Sequence, residues 1–343
     1  MAPSTLHAPL SSRLARAPGT NGLNGHTADA ALAGRASLPN PLEHPICLEE
    51  PERLTPYSNW TEHIPFAMFL VDLLRPDLLV ELGSYYGASY CAFCQAMKAL
   101  HPTGRCYAVD TWQGDPHGGF YGPEALADLR AHHDPLYGSF SHLLQGTFDE
   151  ALPAFRDGSI DLLHIDGYHT YEAVSHDFAA WRPKLSDRGV VLLHDISVDA
   201  FGIQAFWHEA TARYPHFAFW HGYGLGLLLV GRSAPPALQA ICQTDEAEAA
   251  ALRELFYHLG HRLTLKLQMA ALEQRLAFVH RRHATEAADL HKQLAAWKKH
   301  WSDLERGFAW RALERLRRWR RRIAPPGTRR ARWLRRLGLS VSA

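Results

Sequence analysis

Residues 160–195, IDLLHIDGYHTYEAVSHDFAAWRPKLSDRGVVLLHD, restrict the fold more than any other stretch. Two short apolar runs, 160–165 and 190–193, each end in polar residues. The first stops at Asp166, with His169 three positions on, and the second stops at His194-Asp195. Between them, residues 171–185 have helical character, and Arg188-Gly189 reads as a turn. Strand, helix and strand at this spacing form a βαβ unit with parallel strands. Open parallel sheets carry their chemistry at the carboxyl ends of the strands. Asp166, His169, His194 and Asp195 are therefore expected on one rim of a sheet.

The chain upstream supplies the neighbours of that unit. Residues 60–74 are apolar at near-helical spacing, and Arg75-Pro76 ends the pattern. LLVELG at 78–83 is a buried-strand run that turns through Gly83-Ser84-Tyr85-Tyr86-Gly87 into a helix over about 90–100. This order brings a ligand close to backbone N–H groups at a helix N-terminus. The spacing is G-x-x-x-G, and Tyr85 stands where a dinucleotide fingerprint has its second glycine. A bulky residue there argues for a ligand without a pyrophosphate. A further strand, 105–110, ends in Asp110. An acid at that place can accept hydrogen bonds from both hydroxyls of a ribose. Taken alone, it reads equally as a turn residue or a helix cap.

The loop 112–122, WQGDPHGGFYG, has the composition of a lid, with His117 or Tyr121 able either to touch substrate or to pack. Residues 124–133 and 137–144 have helical character, and 141–146 reads as a strand leading to Thr147 and Phe148. A helix is expected over 203–214, then strands over 216–221 and 224–231 joined as an antiparallel hairpin at Gly222-Tyr223.

The ends differ from this body. Residues 1–42 are rich in Ala, Ser, Pro, Gly and Asn without periodicity, which reads as a disordered leader. No apolar run approaches the roughly 18 residues of a membrane span, and the N-terminus lacks a signal-peptide pattern. Five cysteines, an odd number, argue against a disulfide framework and for a reducing, cytoplasmic setting. Cys91 and Cys94 form a lone C-x-x-C and read as small apolar helix residues. Residues 311–343 hold 12 Arg and one acid, Glu314, which leaves 24 basic and 34 acidic residues in 1–310. The body is thus near −10 and the arm near +11. Leucines recur at three- to five-residue steps from 252 to 276, an amphipathic helix able to self-associate into a homo-oligomer or coiled coil. The arm interleaves Arg with Trp and Leu. That suits an anionic membrane surface, such as the inner face of the cell membrane, or a solvated or partner-docking helix, and suits nucleic acid less well. The sequence divides into a leader (1–42), a catalytic domain (43–235), a helical extension (245–322) and a basic tail (323–343).

ELGSYYG, YAVDTW, LLHIDGYHTYEAVSHDF and GVVLLHD together resemble class I S-adenosylmethionine-dependent methyltransferases over about 60–231. More narrowly, they resemble the small-molecule and sugar O-methyltransferase group that is similar to cephalosporin hydroxylase and macrocin O-methyltransferase. The resemblance implies an α/β, Rossmann-like fold: a seven-stranded, mostly parallel sheet whose last strand is antiparallel, followed here by the C-terminal helical extension. It places the cofactor over Glu81, Gly83, Ser84 and Gly87, the ribose on Asp110, and the adenine beside Thr147 and Phe148. Basic tails containing Trp-Arg resemble those of bacterial surface-polysaccharide enzymes.

Methyl transfer to an alcohol requires alignment of the oxygen and removal of its proton, which a divalent metal assists. The resemblance implies metal ligation by Asp166, His194 and Asp195, with His169 as general base at an ordinary pKa of ~6.5. Magnesium prefers oxygen ligands, so His194 either selects Mn²⁺ or another transition ion or stands behind the ligands. Substrate hydrogen bonding or packing remain open for His169, and helix capping for Asp195. His164 shares the strand face of Asp166 and reads as a buried supporting residue. Glu172 and Asp177 read as solvated or capping. The leading expectation is an O-methyltransferase acting on a hydroxyl of a sugar, glycan or related small molecule. A metal-dependent hydroxylase on a related scaffold and a non-catalytic cofactor-binding adaptor are the alternatives.

Overall fold

The computed structural model describes residues 37–336 apart from Tyr57 and His117. Most of the expected leader, the candidate contact at His117 and residues 337–343 of the tail lie outside them.

The strands are β1 Leu78–Leu82, β2 Arg105–Asp110, β3 Gly114–Asp115, β4 Gly119–Phe120, β5 Ser141–Gln145, β6 Ile160–Ile165, β7 Leu185–His194, β8 His216–Phe219 and β9 Leu225–Leu229. Seven of them form one sheet in the order β5-β2-β1-β6-β7-β9-β8. From β5 to β7 the pairs are parallel, and β9 runs antiparallel to both β7 and β8. This is the seven-stranded, mostly parallel α/β sheet with an antiparallel last strand that the sequence resemblance implied. The chain moves outward from β1 to β2 and β5, then returns to β6 on the other side. The crevice at that reversal is where open α/β sheets bind ligands.

The helices are α1 Ile64–Leu74, α2 Ala88–Leu100, α3 Glu124–Tyr137, α4 Phe148–Ala151, α5 Tyr171–Trp181, α6 Ile203–Thr211 and α7 Pro236–Cys242, then α8 Glu246–Arg306, α9 Phe308–Ile323 and α10 Arg329–Arg336. Strands buried on both faces read as continuous apolar runs, and every residue of β6 is buried. Alternation sends Leu79 and Leu162 to one core with Phe66, Phe69 and Phe93, and Val80 and Leu163 to a second with Phe178 and Phe206. Cys91 and Cys94 are buried and free in α2.

Three local expectations are corrected. First, α5 stops at Trp181 because Pro183 permits only a 3₁₀ turn, Arg182–Lys184, before Leu185 opens β7. Second, β7 then runs through Arg188 and Gly189, which were expected to turn. The Gly189 carbonyl accepts from Val230 and Gly231, and a register shift between Ile160 and Leu162 absorbs the mismatch. Third, residues 141–144 are strand, since Ser141 pairs with Cys106.

The structure divides into two compact units, one ending at Leu267 and the other beginning at Gln268. In the first unit, α8 contributes Ala249, Leu252, Phe256 and Leu263 to the core of α1. The Phe256 ring lies 5.3 Å from Phe66 and 5.2 Å from Phe69. Gly260 packs so closely that a Cβ would lie 2.0 Å from the Glu62 carbonyl oxygen. The second unit holds the rest of α8, α9 and α10. Among the described residues, no helix is long and apolar enough to cross a membrane.

Glu172 is exposed as expected, but Asp177 is buried, and burial pushes its carboxyl up from 3.8 to about 6. A carboxyl whose folded pKa is raised costs stability progressively as pH rises from 3.8 through about 6. Asp177→Asn is therefore expected to stabilise the protein against urea by roughly 1–3 kcal/mol at pH 8 and to leave it unchanged at pH 4. Phe256→Ala is expected to cost about 3–5 kcal/mol in the same measurement.

Candidate active site

A cleft of about 440 Å³ opens at the carboxyl ends of the parallel strands. One wall is the turn that follows β1, where Gly83 (φ 87°), Tyr85 (φ 50°) and Gly87 (φ 74°) are left-handed. Gly83 is required twice, because a Cβ there would also lie 2.1 Å from the Asp166 carbonyl oxygen. Oδ2 of Asp110 accepts from the N–H groups of Ser84 (2.8 Å) and Tyr85 (2.9 Å), while Oδ1 accepts from Trp112 N (2.7 Å). The Trp112 indole donates to the Tyr85 carbonyl at 2.9 Å. Tyr85, a bulky residue in a conformation that costs roughly 1–3 kcal/mol, is thus held from both sides.

A buried polar chain lies beneath the turn. The Trp60 indole N–H donates to His164 Nε2 (3.2 Å), His164 Nδ1 meets Glu81 Oε2 (2.8 Å), and Ser84 Oγ donates to Glu81 Oε1 (2.6 Å). Indole is only a donor, so His164 Nε2 is an acceptor and the ring proton sits on Nδ1, donated to Glu81. Glu81 is fully buried, and neither Glu81 nor Gly87 lines the cleft, although both were expected against the cofactor. Glu81 turns down to Ser84 and His164. Gly87 packs on α3, where a Cβ would lie 2.4 Å from Leu129 Cδ1. Gly83, Ser84, Asp110, Thr147 and Phe148 do line it. Thr147 also caps α4 in a box with Glu150, and the Phe148 ring fills the space above Gly167.

The facing wall carries the four rim residues together. Asp166 N donates to the Leu82 carbonyl (2.8 Å), tying the end of β6 to β1. Asp195 is left-handed (φ 63°), and its Oδ2 lies 3.0 Å from His169 Nε2. The His169 ring stacks on Phe201 at 5.1 Å. His194 Nδ1 lies 3.3 Å from Asp166 Oδ1 and 3.4 Å from Asp195 Oδ2, and its Nε2 lies 3.0 Å from the Gly222 carbonyl oxygen. That carbonyl only accepts, so Nε2 carries a proton. Nδ1, facing two carboxylates, must then hold a second proton or face a cation. Gly222, Tyr223 and Gly224 are all left-handed, and the same carbonyl accepts from His63 Nε2 at 3.1 Å.

The electrostatics follow from this packing. Burial alone would lower the pKa of His194, but Asp166 and Asp195 outweigh it and push the ring up to about 10. Burial opposes ionisation of Asp195 and Asp166. The hydrogen bonds from His169 and His194 still hold Asp195 well below the usual carboxylate range, and His194 lowers Asp166. Burial likewise disfavours the charged form of His169, and its bond to Asp195 raises it nonetheless. The two histidines thus face the two carboxylates, each ring drawn toward its charged form by the acid beside it.

One ligand atom each from Asp166, His169 and Asp195 lies within 4.8 Å of the others. Donors around a single ion at ~2.1 Å stand within about 4.2 Å of one another, so this trio fits a divalent cation with little movement. His194, the ligand expected from sequence, turns Nδ1 to the same two carboxylates while Gly222 holds its Nε2. Two carboxylates and one imidazole suit Mn²⁺, Fe²⁺ or Zn²⁺ better than an all-oxygen site does. The sequence reading missed Thr55, Ser58, Asn59 and Trp60, which line the cleft. Their only signal was a short polar run before the apolar 60–74 pattern. The lid is the ribbon β3–β4, and Tyr121 beside it packs on Tyr85 at 4.7 Å.

Residues 80–196, from β1 to just past Asp195, match the family described as a methyltransferase domain. An uncharacterized protein of Sinorhizobium fredii is 46% identical over 215 residues, which is 62% of this chain and 23% of that protein. The chain therefore spans less than a quarter of that relative. Similar solved structures include the O-methyltransferase TomG of Streptomyces achromogenes in complex with SAM (14% identity, 60% of this chain, 94% of that one, TM-score 0.39). Another is a TDP-rhamnose 3′-O-methyltransferase of calicheamicin biosynthesis (19% identity, 48% of this chain, 76% of that one, TM-score 0.37).

Two variants test the walls of the cleft. Trp60→Phe leaves His164 Nε2 without its donor and is expected to cost about 1–3 kcal/mol in urea unfolding. In the unaltered protein, ¹⁵N spectra should place the His164 proton on Nδ1. Gly83→Ala is expected to weaken S-adenosylhomocysteine binding about tenfold or more by calorimetry, since it forces the turn away from Asp166.

Proposed function

We propose that the domain transfers a methyl group from S-adenosylmethionine to a hydroxyl oxygen of a small polar acceptor, a sugar or glycan hydroxyl by the sequence resemblance, assisted by a divalent cation. The observation that carries this reading is the convergence of Asp166, His169 and Asp195 on one wall of a cleft whose other wall is the Gly83–Tyr85 turn.

On the cofactor side, Asp110 offers roughly four acceptor sites, three of them taken by backbone N–H groups. One remains for a ribose hydroxyl, rather than the two the sequence suggested. Thr147 and Phe148 border the place for the adenine, and Gly83 and Ser84 present backbone beside it. Tyr85, Tyr121 and the lid ribbon enclose the opposite end and exclude water from the reacting atoms.

On the acceptor side, Asp166 and Asp195 hold the cation, which when bound lowers the pKa of the acceptor hydroxyl and orients its oxygen. His169 is fixed by Asp195 and by stacking on Phe201. From there it either takes the acceptor's proton or completes the ligand set. His194 balances the charge of both carboxylates and anchors them to Gly222.

Asp166→Ala should lower kcat/KM by about 10²–10⁴-fold while S-adenosylhomocysteine binding is retained. EDTA should abolish turnover and Mn²⁺ restore it. His169→Ala separates its two roles: a base variant loses turnover and keeps Mn²⁺ affinity, whereas a ligand variant loses both. Full activity in EDTA would remove the cation. A product that gains one oxygen instead of one CH₂ would remove methyl transfer.

A further inference from the structure

We infer that α9, Phe308–Ile323, lies in the plane of an anionic lipid surface, with its apolar stripe in the acyl boundary and its arginines among the headgroups. The helix reads FAWRALERLRRWRRRI and carries seven Arg against one Glu. Spacings of three and four residues place Phe308, Ala312, Leu316, Trp319 and Ile323 along one side. Phe308 is 83% exposed, Leu316 60% and Trp319 65%. Arg311, Arg315, Arg318 and Arg322 follow one another at the same spacing along one flank of that stripe, and Arg317 and Arg321 lie opposite it.

The arginines are not neutralised within the helix. Glu314 reaches Arg317 at 3.5 Å, and like charges four apart, such as Arg311 with Arg315 and Arg317 with Arg321, repel each other. A helix of this kind gains from an external polyanion. Phosphates alone would satisfy the arginines, but the apolar stripe needs its own cover. A lipid interface offers both layers, whereas nucleic acid offers only the first. Trp310 falls on the arginine face, where the Arg317 guanidinium lies 6.0 Å from its ring. After Pro325-Pro326-Gly327 the pattern resumes in α10, RRARWLRR, with Trp333 exposed. The absence of a spanning helix among the described residues means the arm would rest on the surface and not cross it. This inference does not depend on the chemistry proposed for the cleft.

The test uses the full chain in co-sedimentation with phosphatidylglycerol–phosphatidylcholine vesicles, with pure phosphatidylcholine vesicles and duplex DNA and RNA as comparisons. Binding to the mixed vesicles should exceed that to neutral ones at least tenfold and fall as salt rises. Leu316→Ala with Trp319→Ala should weaken it by about tenfold or more. Alanine keeps the helix, so circular dichroism should not change. Arg317→Gln and Arg321→Gln should each weaken binding roughly fivefold, and replacement of the same residues by lysine should restore it. Three results would overturn the inference: no preference for anionic vesicles, unchanged binding by the alanine pair, or tighter binding to a nucleic acid than to vesicles that is indifferent to Leu316 and Trp319.

Discussion

A buried carboxylate that cannot be left unpaired organises this domain. Glu81 sits on the central strand with no exposure to solvent, where an uncompensated carboxylate would cost several kcal/mol. Its two oxygens are satisfied by His164 on the neighbouring strand and by Ser84 in the turn, and Trp60 fixes the proton of His164 from the helix side. One short chain of bonds therefore joins β1, β6, the glycine turn and the segment leading into α1. The turn in turn presents its N–H groups to Asp110 and its bare Cα to the Asp166 carbonyl. Displacing Ser84 would disturb both walls of the cleft at once.

The rim opposite is built on the same economy of charge. Two carboxylates a few ångströms apart repel each other unless positive charge stands between them. His194 supplies it, anchored by the Gly222 carbonyl, and His169 meets Asp195 from the cleft side. A divalent cation can replace the proton on one or both rings, since ligands must shed protons to bind metal. In the proposed reaction, such a cluster would exchange protons for a cation as it activates a hydroxyl. The residues from Gln268 onward form a separate unit.

Much of this was legible in the sequence because parallel strands buried on both faces leave continuous apolar runs, and their ends announce the rim. Asp110, Asp166, His169, His194 and Asp195 were all found at strand ends for that reason. Side-chain direction was not legible. Glu81 and Asp166 both sit at the carboxyl ends of neighbouring central strands, yet one turns into the core and the other into the cleft. His169 joins His194 beside the two carboxylates, since Asp195 Oδ2 lies 3.0 Å from His169 Nε2 and 3.4 Å from His194 Nδ1. The extended β7 escaped notice because Gly189 looks like a turn residue, yet its carbonyl accepts from Val230 and Gly231 just beyond β9. Trp60 was visible as the start of a helix, but its bond to a histidine 104 positions later has no local signature.

The central claim is that the rim trio and the glycine turn form one cation-assisted methyl-transfer site. Crystals grown with S-adenosylhomocysteine and Mn²⁺, read by anomalous scattering, test it most directly. The account predicts a manganese peak about 2.0–2.4 Å from carboxylate oxygens of Asp166 and Asp195, with the nucleoside ribose on Asp110 in the same cleft. Manganese bound elsewhere, or a nucleoside seated away from the Gly83–Tyr85 turn, would contradict it.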